Sequence, residues 1–572
     1  MKNYVDLENG RYRNPILFAD YSDPDVIRVG DTYYMTASSF NYTPGLPILI
    51  SHDLVNWKLV NYALKNIKEE RYFIPRHSEG VWAPSIRYHE GYYYIYYGMP
   101  DEGYYVVRAK NPLGEWEEPV CILEGKGLID PCPFWDDDGK AYVIHGYAKS
   151  RIGFKSILGI FEMSNDGLRA ISEDHFIFNG NDPKNPAVTI EGPKVYKRDG
   201  YYYILAPAGG VKYGYQVALR SKHICGPYEI KEVMHTGNTQ INGPHQGGLV
   251  DTVNGDEWFI HFQDRGLYGR ICHLQPVEWE NGWPIIGVNP DADNIGEPVK
   301  EMEKPNTGIA DEPCYLEASD DFVDGKYALC WQWLGNHKDE FYGRVISNSK
   351  ENVTEGETEA DSENHLCDGL RLYALNPSGE DNPVIWRSSN VLTQKIIYPL
   401  LKCDVALDAT GLTPGDRTGV CMTGGQYITA YVEKGDLEDV SIVVAQSFGG
   451  DNDKKEKEIY RKSFTLFCHE NGISLEQGLK NLKFRMIFDC DEKVKSEELY
   501  FRSVDDKDAI PSLNIILVAD EKEIDLKVRY TPSDHTWVGA KIGIYASTKK
   551  GTEERACECG FSDFKYVHVE EL

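Results

Sequence analysis

The chain lacks the features that announce several large protein classes. No run of about 18 apolar residues occurs, so no membrane-spanning helix is expected. The N-terminus, MKNYVDLENGRYRNP, has no apolar core of the secretory kind. Basic residues are scarce: 60 Lys and Arg stand against 90 Asp and Glu, for a net charge of −30. Such a chain repels phosphate backbones and anionic lipid, so neither nucleic acid nor a membrane is expected as a partner. A neutral polysaccharide would not be repelled. The 13 cysteines are odd in number and scattered, and only Cys557 and Cys559 stand close together, with no histidine pattern beside them. They read as reduced thiols, and the expected location is the cytoplasm. No zinc-finger spacing, P-loop, dinucleotide fingerprint or G-x-S-x-G elbow is present.

What the chain has in plenty is aromatic side chain, 12% of the total with 38 Tyr and 11 Trp, which suits stacked strands and sugar-facing surfaces alike. With 572 residues it is too long for one core, so two or three domains are expected. Residues 1–300 carry five degenerate repeats: DPDVIRVGDTYYM, WAPSIRYHEGYYYIYYG, IDPCPFWDDDGKAYVIHG, IEGPKVYKRDGYYYILAPA and GPHQGGLVDTVNGDEWFIHF. Each opens on a proline step, continues as an apolar strand, turns at a glycine beside an acidic residue, and returns as an aromatic strand. The turns are Gly30-Asp31, Glu90-Gly91, Asp138-Gly139, Asp199-Gly200 and Gly255-Asp256, which are hairpin signals. A spacing of about 50 to 60 residues fits one four-stranded blade per repeat, so an all-β, five-bladed propeller is predicted. The stretches 53–57 (DLVNW) and 112–116 (PLGEW) read as equivalent outer turns. No long amphipathic helix interrupts the repeats, which argues against an α/β barrel.

In a propeller the first strand of each blade lines the central channel. The repeats therefore bring Asp23, Trp82, Asp130, Glu191 and His245 to one register around the axis. Three of the five are acids, and crowded carboxylates are costly unless kept for chemistry. Cleaving a glycosidic bond needs a protonated acid for the leaving oxygen and an ionised carboxylate to activate water or attack the sugar. A third acid can hold the donor's proton by like-charge repulsion. Trp82, Phe40 and Phe134 are candidates for an apolar floor under a sugar ring; Phe40 and Phe134 read equally as blade-packing residues, whereas Trp82, at the opening register, reads as functional. Arg270 can hold an ionised base and bind a hydroxyl. His245 reads as a ligand for water or metal in the channel, or as a hydrogen-bonded core histidine.

Many short stretches carry a family resemblance: NPILFADYSDPDVIRVGDTYYM, GVWAPSIRY, GLIDPCPFWDDDGKAYVIHG, TIEGPKVYKRDGYYYILAPAGG and PHQGGLVDT. On them, the first 300 residues resemble glycoside hydrolase family 43, a family of inverting five-bladed propeller enzymes. The resemblance implies Asp23 as general base, Glu191 as general acid and Asp130 as the residue that tunes and orients the donor. It implies Arg270 as the active-site arginine, and His245 as a channel histidine bonding waters around a calcium ion. Asp25 receives no catalytic role. The second half is similar to the concanavalin-like, jelly-roll β-sandwich that follows the propeller in the family's β-xylosidases. The residues that carry this are Asp321-Phe322, Trp331-Gln332-Trp333, LDATGLTPGDRTGV, GAKIGIYAS and GFSDFKY. EGETEADSENH and GGDNDKKEKE read as charged loops. The expected organisation is a catalytic propeller over 1–300, a linker over 301–318 and an accessory sandwich over 319–572.

The resemblance further implies exo action, with a sandwich loop closing part of the pocket, and inversion, with the carboxyl groups roughly 6.5–9.5 Å apart. The expected substrates are xylan-derived oligosaccharides or arabinose side chains, releasing xylose, L-arabinofuranose or both. No cofactor is required, a calcium ion in the channel is allowed, and a homo-oligomer is compatible. A non-catalytic carbohydrate-binding protein is the alternative, and a dead relative would be expected to have lost one of the three acids. A retaining enzyme acting on fructosides would want a Trp-Met-Asn-Asp-Pro motif near the N-terminus, and none is there.

Overall fold

The computed structural model describes residues 4–346, 366–380, 383–437, 439–490, 494–506, 510–549 and 559–572. The charged stretch EGETEADSENH and Cys557 lie outside them. Five four-stranded antiparallel sheets, at 25–64, 82–124, 128–179, 194–234 and 245–286, each hold four consecutive strands in sequence order. Their first strands are Asp25–Val29, Trp82–His89, Leu128–Trp135, Lys194–Arg198 and His245–Asp251, and the ring closes where the fifth lies against the first. This is the five-bladed, all-β propeller that the repeats predicted.

The hairpins explain why the repeats fold this way. Gly30, Gly139 and Gly255 have φ of 67°, 83° and 87°, and Glu90-Gly91 and Asp199-Gly200 are consecutive left-handed pairs. Such turns match the right-handed twist of the strands they join. A Cβ at Gly30, Gly91, Gly139 or Gly255 would meet nothing within 4 Å, so these glycines serve conformation rather than space.

The starts of the inner strands follow a second rule. Each carries a residue of positive φ: Asp23 (55°), Ala83 (35°), Asp130 (59°), Gly192 (56°) and Gln246 (21°). The first four precede a proline. This corrects the single register expected for the converging set. Asp23 and Asp130 occupy the left-handed position, whereas Trp82, Glu191 and His245 stand one residue before it. Pro244 is not the counterpart of the other four prolines, because Gly247 holds that place in blade five. A Cβ there would lie 1.7 Å from the carbonyl oxygen of Ile260, too close for a proline ring or any other side chain.

The second half is a sandwich of two seven-stranded antiparallel sheets. Its strands read from the sequence by alternation: in Leu482–Asp489 (LKFRMIFD) every second residue is buried. Val420, Met422, Ala430 and Val432 of one sheet share a core with Val405, Leu407, Phe484 and Met486 of the other. The same core runs on into the propeller through Trp331, Trp333, Leu17 and Tyr21. The buried Cys132, Cys272, Cys403, Cys421 and Cys468 are thiols outside any disulfide.

The segment between the two halves is bolted to blade one. Glu301–Glu303 pairs with Arg11–Arg13 as a short ladder. Lys304 bonds Asp6 and lies 3.8 Å from Asp53. Asp311 accepts the His52 N–H at 2.5 Å and pairs with its Nδ1 at 2.8 Å. The anchor is the outer turn at 53–57, whose Asp53 carboxylate accepts the Val55 and Asn56 N–H groups at 2.9 and 2.8 Å. Asp6 and Asp53 are 2% and 1% exposed, so Lys304→Met would leave two buried carboxylates without their cation. The expected cost is about 3 kcal/mol, read as a lower denaturation midpoint; an unchanged midpoint would show that the clamp contributes nothing.

Candidate active site

The site is assembled where the five inner strands begin. Asp23 is 5% exposed, and its left-handed backbone turns its carboxylate toward the last strand pair of blade five. Oδ2 accepts the hydroxyls of Ser22 and Ser38 at 2.8 and 2.6 Å, and Oδ1 accepts Arg270 Nη1 at 3.2 Å. Arg270 also donates to Ser22 Oγ at 2.7 Å and lies over the Phe262 ring, 4.7 Å from its centroid. Ser38 Oγ accepts the Ala83 N–H at 2.7 Å, which ties the carboxylate to blade two. Donors on both oxygens suit an ionised carboxylate with a fixed orientation.

Asp130 and Glu191 have the opposite surroundings. Asp130 is 4% exposed, and its Oδ2 accepts the Gly192 N–H at 2.7 Å. Burial, and next the charge of Asp23, push it up to about 7, while the Gly192 N–H, Lys194 and Gln246 pull the other way. Burial, and next the charge of Asp130, push Glu191 up to about 8, with Arg270 opposing. The Glu191 side chain keeps 28% of its surface open at the mouth, so it can reach a substrate. The ring thus holds one carboxylate dressed for ionisation and one carboxyl that keeps its proton near neutral pH. Those are the two states that acid–base cleavage of an acetal requires.

His245 is 1% exposed with Nε2 3.5 Å from Glu191 Oε1. Burial, and next Arg270, hold its pKa well below the usual imidazole range, so the ring is neutral. Neither ring nitrogen makes a hydrogen bond. Among the described residues no three His, Cys, Asp or Glu side chains come together to hold an ion directly. These residues fit a cation only through its water shell, which the His245 nitrogens would meet.

The apolar side of the mouth comes from both halves of the chain. Trp82 (8% exposed) packs edge-on to Phe40 at 6.4 Å and to Trp537 at 4.6 Å, with the Arg151 guanidinium 5.4 Å from its ring centre. Trp537 lies on a sandwich loop, at φ 71°. His535, on the same loop, sits between Ser78 Oγ and Asp451, both at 2.9 Å. Gly539 donates its N–H to Asp20 at 3.0 Å, and Ala540 to the Leu267 carbonyl at 2.7 Å. A Cβ on Gly539 would sit 2.5 Å from the Gly269 nitrogen, so only glycine lets the loop dock.

Sequence reasoning missed Trp537, Ser22, Ser38, Gln246 and Arg151. The tryptophan had a signal, a lone indole in the polar, glycine-bounded stretch TPSDHTWVG; the serines had none. Phe134 is a correction. It lies four residues beyond Asp130 on the same strand, roughly 13 Å along it. There it lines a cavity at the far end of the channel with Arg28, Tyr88, Trp135, Arg198 and Trp279. The strand direction carries it away from the mouth, and it packs edge-on to Tyr202 at 6.1 Å.

The raised Glu191 value predicts an effect on stability. From its ordinary 4.5 up to about 8, the folded chain holds a proton that the unfolded chain has released. Stability therefore falls as pH rises through that window. Glu191→Gln removes the penalty. Its gain in unfolding free energy is expected to grow from near zero at pH 5 to about 1–2 kcal/mol at pH 8, after allowance for the open mouth. Unfolding curves across pH measure it, and a difference independent of pH refutes a protonated Glu191.

Known proteins carry the same plan. The model of Glycosyl hydrolases family 43 matches residues 12–284, and that of the Beta xylosidase C-terminal Concanavalin A-like domain matches 357–570. A putative beta-xylosidase of Xylanibacter ruminicola is 41% identical over 339 residues, 59% of this chain and 61% of that protein. A beta-xylosidase of Formosa agariphila is 34% identical over 478 residues, 75% of this chain and 76% of the other. A solved bifunctional GH43-CE protein of Bacteroides eggerthii superposes with a TM-score of 0.72 at 26% identity, over 98% of this chain and 63% of that one. The chain belongs to glycosyl hydrolase family 43.

Proposed function

We propose that the protein is an exo-acting, inverting glycosidase that releases single pentoses, xylose or L-arabinofuranose, from xylan-derived oligosaccharides or their side chains. The observation that carries this reading is the contrast within the carboxyl ring. Burial and mutual repulsion push Glu191 up to about 8, while Asp23 is gripped by Arg270 and two serines. Glu191 protonates the leaving glycosidic oxygen as the C–O bond breaks. Asp23 takes a proton from the water that attacks the anomeric carbon from the opposite face. Asp130, between them, keeps the proton on Glu191 by repulsion and accepts the Gly192 N–H that fixes its own direction. The chemistry needs no cofactor, and an ion in the channel would sit outside it, behind water.

Two features support exo action on a small sugar. The Trp537 loop stands as a wall on one side of the mouth, and Trp82 and Phe40 give an apolar face against which one ring can lie. The names of the two relatives favour xylose. Arabinofuranose presents similar hydroxyls, so both sugars are proposed. Release from nitrophenyl xyloside and nitrophenyl arabinofuranoside, side by side, identifies the preferred unit. Proton NMR of the first product on xylobiose should show the anomer opposite to the bond cleaved, and retention of configuration would sink the mechanism. Glu191→Ala is expected to lower kcat on poor leaving groups by at least about 10³-fold with binding kept. Near-normal turnover would remove Glu191 from its role.

A further inference from the structure

Below the three acids lies a second ring. Two residues past each left-handed position stand Asp25, Ser85, Cys132, Lys194 and Gly248. Asp25 and Lys194, its charged members, are both fully buried. They do not neutralise each other by a direct bond. Asp25 Oδ2 accepts Arg87 Nη1 at 2.6 Å and the Ile86 N–H at 2.8 Å, and Arg87 Nη2 reaches Cys132 Sγ at 3.1 Å. Lys194 instead crosses the channel from blade four to blade two. Its Nζ donates to Ser85 Oγ at 2.6 Å and to the Pro84 carbonyl at 3.1 Å, both neutral oxygens. A buried ammonium held only by neutral groups is costly, and one blade over, Asp130, whose carboxylate accepts the Gly192 N–H two residues before Lys194, is a negative charge on which it acts.

We propose that Lys194 is a positioning residue for the acid–base machinery: wedged across the channel under the acids, its ammonium is the counter-ion that keeps Asp130 ionised and so leaves the catalytic proton on Glu191. This rests on the reading of Glu191 as proton donor. The groups facing Asp130 are Asp23 and Glu191, which oppose its ionisation, the Gly192 N–H, Gln246 and Lys194, which favour it, and the Tyr104 hydroxyl, which burial and the charge of Asp130 keep neutral. The groups facing Glu191 are Asp130, Asp23, Arg270, Lys155 and the neutral His245. Arg270 is already engaged by Asp23, so Lys194 is the charge available to Asp130. Without it, Asp130 takes up the proton, and the repulsion that holds Glu191 protonated is lost. Lys194 also reaches the base through the backbone. It holds the carbonyl of Pro84, the residue after Ala83, whose N–H is fixed on Ser38, which in turn bonds Asp23.

The test uses the full chain with Lys194→Met, Lys194→Arg and Ser85→Ala. One readout is an infrared titration of the Asp130 carboxyl, assigned by difference from Asp130→Asn. The other is the pH profile of kcat/KM on whichever nitrophenyl pentoside is cleaved. In Lys194→Met the Asp130 midpoint is expected to rise, and the alkaline limb of activity to move to lower pH, each by about one unit. Lys194→Arg keeps the charge and is expected to restore both midpoints, even if kcat falls through poorer fit. A folded Lys194→Met with both midpoints unchanged overturns the proposal. Should that variant fail to fold, Ser85→Ala decides, because it frees the ammonium without removing it. A shift in the same direction supports the role, and no shift overturns it. The infrared shift needs no turnover, so it stands even if neither pentoside is a substrate.

Discussion

Three carboxyl groups drawn into one buried ring repel one another, and much of the propeller's interior is arranged to contain that repulsion. Two means are visible. Asp23 is stabilised as an anion by direct donors, with Arg270 and two serines on its oxygens. Asp130 has one backbone N–H on its carboxylate and Glu191 has no such set of donors, so burial and mutual repulsion push both up, and Glu191 is the one that keeps its proton near neutral pH. The difference between neighbours of the same chemical type is therefore set by what surrounds them. The layer beneath continues the pattern, with Asp25 Oδ2 held by Arg87 and Lys194 reaching across the channel to Ser85.

Holding such groups at fixed spacing needs a stiff backbone, and the inner strands supply it at some conformational cost. Asp23, Ala83 and Asp130 adopt positive φ, a region that non-glycine residues visit at a penalty, and each is followed by a proline that limits its alternatives. Blade four varies the pattern in a way that matters for chemistry. Glycine takes the left-handed place, its N–H turns to Asp130, and the acid sits one residue earlier. Side chains of adjacent residues leave a strand on different sides. Glu191 thus reaches the mouth with 28% of its side chain open, while Asp130 stays closed at 4%. One residue of offset separates a carboxyl that opens to the mouth from a neighbour that does not.

Much of this was legible in the sequence. Repeats with Gly-acid hairpins gave the blades, and the acids at their starts gave the set of carboxyls that the fold draws together, because period-2 strands and tight turns are written in local residue types. Three things were not legible. The split of the converging set into two adjacent positions depends on bulges, which Trp82-Ala83-Pro84 and His245-Gln246-Gly247 do not announce. Phe134 looked eligible by its closeness to Asp130 in sequence, but four residues along a strand is a distance comparable to the depth of the channel. Trp537 lies hundreds of residues from Trp82 in the chain, and its docking rests on Gly539 passing the Gly269 backbone, a contact between loops that no periodicity encodes.

That docking joins the sandwich to the chemistry through one side chain. Asp20 accepts the Arg270 N–H on one carboxylate oxygen and the Gly539 N–H on the other, both at 3.0 Å. Arg270 grips Asp23, and Gly539 holds the loop that carries Trp537 over Trp82. The pocket wall and the orientation of the Asp23 carboxylate therefore share an anchor just upstream of it. The shared core around Trp331, Trp333 and Tyr21 keeps the two halves from sliding against that anchor. On this arrangement the sandwich is part of the site's architecture as well as an appended domain. A change that loosens the loop at Gly539 would disturb the geometry of Arg270 and Asp23 before it altered any residue that touches a sugar.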